Sequence, residues 1–141
     1  VSGSTYLCLL DSSLNVLDSE LLNGDCNQLV SDGAGNVYTV DTNGYIHYAS
    51  YTSSSISCDV TSFNINPVSS AITCSGNYLY IGDDAGILWV FNINLIDTSL
   101  DGCLSWAFNA TSPIVGNILV DNLGNVYVGN DNGDFYAVNS A

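Results

Sequence analysis

Three Asx-rich runs, Asp41-Thr42-Asn43-Gly44, Asp83-Asp84-Ala85-Gly86 and Asn130-Asp131-Asn132-Gly133-Asp134, hold the densest oxygen ligands of the chain. Hard cations are bound by clustered carboxylate and carbonyl oxygens. On that ground Asn130, Asp131, Asn132 and Asp134 form the best metal candidate, and calcium is the only cofactor to consider. None of the runs has EF-hand spacing with its closing glutamate. Each contains a glycine where a hairpin turn would reverse the chain, so turn chemistry is the expected role.

His47 is the single base that titrates near neutrality. A general base needs a nucleophile and an orienting partner within reach. Ser53, Ser54 and Ser55 lie nearby, but no GxSxG elbow accompanies them. His47 is therefore expected to fill a strand position or the surface. Glycoside hydrolysis needs two acids facing across a cleft, and the one adjacent pair, Asp83-Asp84, falls in an expected turn. No catalytic residue is expected, and the chain is not read as an enzyme.

Five cysteines, Cys8, Cys26, Cys58, Cys74 and Cys103, include no CxxC pair, which argues against zinc. In an exported chain they are expected to form two disulfides and leave one odd thiol. The chain contains no methionine and begins at Val1, as expected after removal of a signal peptide. Asn109-Ala110-Thr111 is an acceptor sequon for N-glycosylation at Asn109. An extracellular or cell-surface location is the expectation.

The charge balance excludes whole classes of function. Fourteen acidic residues face no lysine or arginine in 141 residues, a formal charge of −14. Without cationic side chains there is no phosphate clamp or nucleic-acid groove, and no polybasic membrane patch. Lysine Schiff bases and arginine fingers are equally excluded. The longest apolar run, Ile87 to Phe91, is too short for a membrane span. Identical copies repel at pH 7, and that repulsion fades as the carboxylates protonate near the sequence pI of about 4.1.

A repeat supplies the elements that position these residues. Gly35-Asn36-Val37-Tyr38-Thr39-Val40-Asp41 opens one unit, Gly76-Asn77-Tyr78-Leu79-Tyr80-Ile81-Gly82-Asp83 a second, and Gly124-Asn125-Val126-Tyr127-Val128-Gly129-Asn130 a third. Each continues through its Asx-Gly turn into a second apolar strand, so each reads as a hairpin. Inner strands are expected at 28–31, 71–74 and 117–120, and outer strands at 57–63 and 102–108. The spacing matches a four-stranded propeller blade.

The run Gly-Asn-Val-Tyr-Val-Gly-Asn-Asp-Asn-Gly-Asp-Phe-Tyr-Ala-Val-Asn resembles the blade motif of the pyrroloquinoline-quinone-type β-propeller repeat family, and the likeness extends over about residues 26–141. It is a resemblance of repeats. The quinone enzymes of that family use an arginine near the quinone, and this chain has none.

The expected fold is all-β, with antiparallel four-stranded propeller-type blades in about three repeats. Residues 1–25 are the N-terminal closing strands, 26–67 blade 1, 68–113 blade 2 and 114–141 a partial blade 3. The third unit lacks an outer strand. The assembly strand Thr5, Tyr6, Leu7, Cys8, Leu9 and Leu10 is expected to close that blade or to complement it in a neighbouring copy, with Val16 to Leu22 beside it. Three blades do not close a ring, because propellers typically have four to eight. The leading expectation is a secreted structural protein whose partner is itself, built into a filament or surface array. The alternative is a lectin or adhesin formed by dimerisation into a ring, with carbohydrate stacked on exposed aromatics such as Tyr51.

Overall fold

A computed structural model describes residues 4–22, 24–69, 72–96 and 99–139, with the side chain of residue 27 left aside. The chain is all-β and its sheets are antiparallel. A hairpin of β1 (Thr5–Leu10) and β2 (Val16–Leu22) comes first. Sheet 1 follows, a meander of β3 (Cys26–Ser31), β4 (Asn36–Asp41), β5 (Tyr45–Tyr51) and β6 (Ile56–Asn64). Sheet 2 repeats the plan with β7 (Ile72–Ser75), β8 (Tyr78–Gly82), β9 (Ile87–Asn92) and β10 (Leu104–Asn109). Sheet 3 has three strands, β11 (Ile114–Val120), β12 (Val126–Asn130) and β13 (Phe135–Val138).

The strands form where apolar and aromatic residues alternate, and they end where Asx-Gly turns intervene. Gly44, Gly86 and Gly133 occupy one turn position at φ +86, +85 and +87. A side chain there would be strained in any repeat. In the first two repeats it would also strike backbone, because Ile65 O would lie 2.1 Å and Ser112 O 2.5 Å from an added Cβ.

Among the described residues the core consists of three apolar clusters, one between each consecutive pair of layers. Leu7 and Leu22 of the hairpin pack with Ala49 and Ile56 of sheet 1. Tyr38, Val40 and Ile46 of sheet 1 meet Leu79, Ile81 and Phe91 of sheet 2. Tyr80, Leu88 and Val90 of sheet 2 meet Ile118, Val126 and Val128 of sheet 3. The layer order is thus hairpin, sheet 1, sheet 2, sheet 3. Each inner sheet packs on both faces.

Two expectations change. Among the described residues β1 pairs with β2 and β13 only with β12, so Thr5–Leu10 does not close the third unit within the chain. Both strands of the hairpin bury leucines against sheet 1, and that packing decides their place. The segment 102–108 is not strand throughout. Ser99 caps a single helical turn, α1 (Leu100–Cys103), by accepting a hydrogen bond from Gly102 N–H, and this buries Cys103 before β10 begins. Ala71, the expected start of the second inner strand, lies outside the described residues, as do residues 1–3 and 140–141 of the terminal units.

Candidate assembly surfaces

The Asx residues act first on their own backbone. Asp41 Oδ1 accepts the N–H groups of Asn43 (2.9 Å) and Tyr45 (3.0 Å), and its Oδ2 lies 3.1 Å from His47 Nε2. Asp83 repeats the arrangement with Ala85 (3.0 Å), Ile87 (2.7 Å) and the indole N–H of Trp89 (2.7 Å). Asn66 donates a fourth bond to Asp83 at 2.8 Å. In the third repeat Asn130 Oδ1 accepts from Asp134 N–H, while its amide donates to Ala110 O and to the Asp134 carboxylate. All three anchors, Asp41, Asp83 and Asn130, are buried. The oxygens that suggested cation loops are hydrogen-bond acceptors of the turns that hold each hairpin in register.

For the calcium candidate, Asp131 accepts a short bond from Ser112 Oγ and Asn132 is exposed. Among the described residues no three His, Cys, Asp or Glu side chains gather as metal ligands.

Of the two places expected for His47, a strand position or the surface, it takes the first: it is buried on β5 and its partner is Asp41. The signal lay in the repeat: His47, Trp89 and Tyr136 each stand six residues after the anchor of their turn. No two of the five cysteines lie at disulfide distance in the structure. Burial pushes the thiols of Cys26, Cys58, Cys74 and Cys103 up, with nearby carboxylates adding to the first three. Cys8 is exposed on β1. Asn109 is exposed at the end of β10 with Thr111 N–H on its Oδ1 at 2.7 Å, and Tyr51 is exposed at the end of β5.

A second set of aspartates fastens the turns between first and second strands. Asp121 accepts from the Asn125 side chain (2.8 Å), from Asn125 and Leu123 N–H (2.9 Å each) and from Tyr127 OH (3.1 Å). Asp32 does the same with Asn36, Ala34 and Tyr38. The Asn125 amide is the main cause that lowers the Asp121 pKa. At Asp32 burial pushes upward and is outweighed by the bonds from Asn36, Ala34 and Tyr38. Tyr38 is pushed up to about 12, first by burial and then by the Asp32 charge.

A carboxyl whose pKa is lower in the folded chain stabilises it fully above the unfolded value, about 3.9 for Asp. That contribution is lost as pH falls through the folded value. Thermal midpoints are therefore expected to be level from pH 7 to about pH 4.5 and to drop on further acidification. Asn125→Ala should blunt the acid drop. A midpoint unchanged down to pH 2 in the wild-type chain would refute this assignment.

Asp32 and Tyr38, with Asn36, Tyr48, Asp59 and Asn94, line a polar cleft of about 290 Å³ between sheet 1 and the segment that follows β9. Asp32 and Tyr38 bond to each other across it.

The repeat also shows where each layer meets its neighbour. Ile46, Leu88 and Phe135 all stand five residues after their turn anchor and on the same face of their sheets, the face that a following layer covers in the first two. Ile46 and Leu88 are 0% exposed, while Phe135 is 73% exposed. Around Phe135 the same face of sheet 3 carries Val115, Leu119, Tyr127 and Ala137, with the rings of Tyr127 and Phe135 stacked at 6.5 Å. The opposite end is open in the complementary way. Leu29, Ile72 and Ile118 are the inner-strand residues turned toward the preceding layer; Ile72 and Ile118 are 3% exposed and Leu29 is 53% exposed. An apolar sheet face in water marks a contact surface.

No protein-family model matches the chain, and no curated protein is significantly similar to it.

Proposed function

We propose that this chain is a secreted, non-enzymatic structural protein that assembles with copies of itself, head to tail, into a filament or surface array. Its four-stranded sheets act as propeller-type blades, and sheet 3 is a blade awaiting its neighbour. The observation that carries the reading is the triplet Ile46, Leu88 and Phe135, in which one repeat position is covered twice and open once. Leu29 is open at the other end of the stack, and among the described residues β13 has no strand on its outer edge. Stacking the sheet 3 end of one copy on the hairpin end of the next covers both surfaces. Such a contact is heterologous, so it propagates into filaments unless its rotation closes a ring.

An exterior without lysine or arginine suits this role, since it offers no site to trypsin-type proteases. The test is negative-stain electron microscopy at pH 4 and pH 7, with and without calcium. Filaments of varied length are expected, favoured at pH 4 where charge repulsion is least. Uniform compact particles under every condition would overturn the filament and favour a closed-ring binding module.

A further inference from the structure

The hairpin is joined to sheet 1 as each sheet is joined to the next. Asp84 N–H donates to Pro67 O (2.9 Å) where the chain passes from β6 to β7, and Asp131 N–H to Pro113 O (3.0 Å) where it passes from β10 to β11. Thr42 N–H donates to Asp25 O (2.9 Å) where it passes from β2 to β3. By this match β2 stands where a fourth strand stands, relative to the layer that follows it. Leu22 takes the place of Ile65 and Ala110, the buried residues that follow β6 and β10.

A fourth strand pairs antiparallel with a third. In sheet 2 the third strand pairs Ile87 with Asn109 and Leu88 with Phe108. With Leu22 in the place of Ala110, the same register sets Phe135 of a third strand opposite Glu20 and Ala137 opposite Asp18. Those places are taken by β1, which pairs Leu7 with Glu20 and Leu9 with Asp18, and both leucines pack on sheet 1. A cleft of about 140 Å³ separates Thr5, Tyr6 and Leu7 of β1 from Cys26, Leu29 and Thr39 of the inner strands. β1 thus lies between β2 and the inner strands, where a third strand belongs.

We infer that β1 is a resident substitute for a third strand and that β13 of a second copy replaces it along β2, with Phe135 entering the place of Leu7 and Ala137 that of Leu9. This rests on the head-to-tail reading and refines it: the N-terminal strand expected to complement the neighbour is the strand that gives way. β1 and β13 run in the same direction relative to β2, so the exchange keeps the pairing antiparallel. It brings β11 and β12 of the second copy over the exposed Leu29. A free copy is capped by its own β1, and assembly is a competition between two strands for one edge.

The competition can be locked. Cys8 is exposed and pairs directly with Ser19 across the hairpin, so the two side chains are neighbours on one face of the ribbon. Ser19→Cys, oxidised with oxidised glutathione, fastens β1 to β2; assembly is read by light scattering and electron microscopy. The stapled chain is expected to lose filament formation and to regain it on reduction, while the wild-type chain is unaffected by either treatment. A mass spectrum confirms the staple, and the circular dichroism melt confirms the fold. Filaments from the stapled chain equal to those of its reduced form would overturn the exchange and leave the head-to-tail reading standing. No filaments from either the wild-type or the reduced chain would overturn the filament reading itself.

Discussion

Replacing Phe135 with aspartate is expected to leave the chain folded and to stop it assembling. The ring projects into solvent, and it stacks on Tyr127 on the same face. Removing it from a single copy therefore sacrifices little packing, and surface substitutions of this kind usually cost within about 0.5 kcal/mol. The proposed contact has more to lose. Covering a phenylalanine stabilises by about 1.5–3 kcal/mol, and a carboxylate buried without a cation adds a desolvation cost of several kcal/mol. No lysine or arginine exists on any copy to pair with it. Together these shift association by more than about 3 kcal/mol, over about a hundredfold in affinity. Sedimentation velocity beside a thermal melt separates the two quantities. A variant that polymerises like the wild type would remove sheet 3 from the contact.

Asp83→Ala is expected to do the opposite and unfold the chain before assembly can be asked about. Four donors converge on this fully buried carboxylate, from the half-buried Ile87 and Trp89 and from the exposed Ala85 and Asn66. Each buried donor left without an acceptor costs about 1–3 kcal/mol. Even with relaxation the total reaches about 3–5 kcal/mol, a large part of the about 5–15 kcal/mol that holds a typical domain together. Next to it the Asp84 carboxylate accepts from Ser69 N–H and Oγ, near the surface, and Asp84→Ala should cost about 1 kcal/mol. Urea unfolding of both variants measures the contrast. Equal midpoints would mean that the Asp83 cage is not what fastens the turn.

The strand positions were legible because the repeat carries its own punctuation. Asx-Gly turns and the alternation around Tyr38, Tyr80 and Tyr127 mark β4, β8 and β12 nearly to the residue. The inner and outer strands followed from their spacing to those hairpins. What sequence could not supply is which edge meets which. β1 and β2 are both short and leucine-rich, so either could serve as an outer strand, and only their packing on Ala49 and Ile56 separates them.

The burial of His47 was hidden for another reason. A histidine alternating with Ile46 and Tyr48 looks solvent-facing until the layer on its far side is known, and here both faces of the sheet are covered. The α1 turn was hidden in four residues, too few for any periodicity. Ser99 ahead of Leu100-Asp101-Gly102 is its one trace. The cysteines recur in the repeat at matching distances, yet no two of them come to disulfide distance.

Three separate apolar clusters, each shared by two consecutive layers, make this chain a one-dimensional object whose cohesion is a sum over neighbours. An isolated copy has two termini for every three such junctions, and each terminus frays. Joining copies end to end converts two frayed termini into one further junction. A long polymer should therefore melt inward from its tips, with a transition that rises and sharpens as chains lengthen, and breakage anywhere along it should create two new points of weakness.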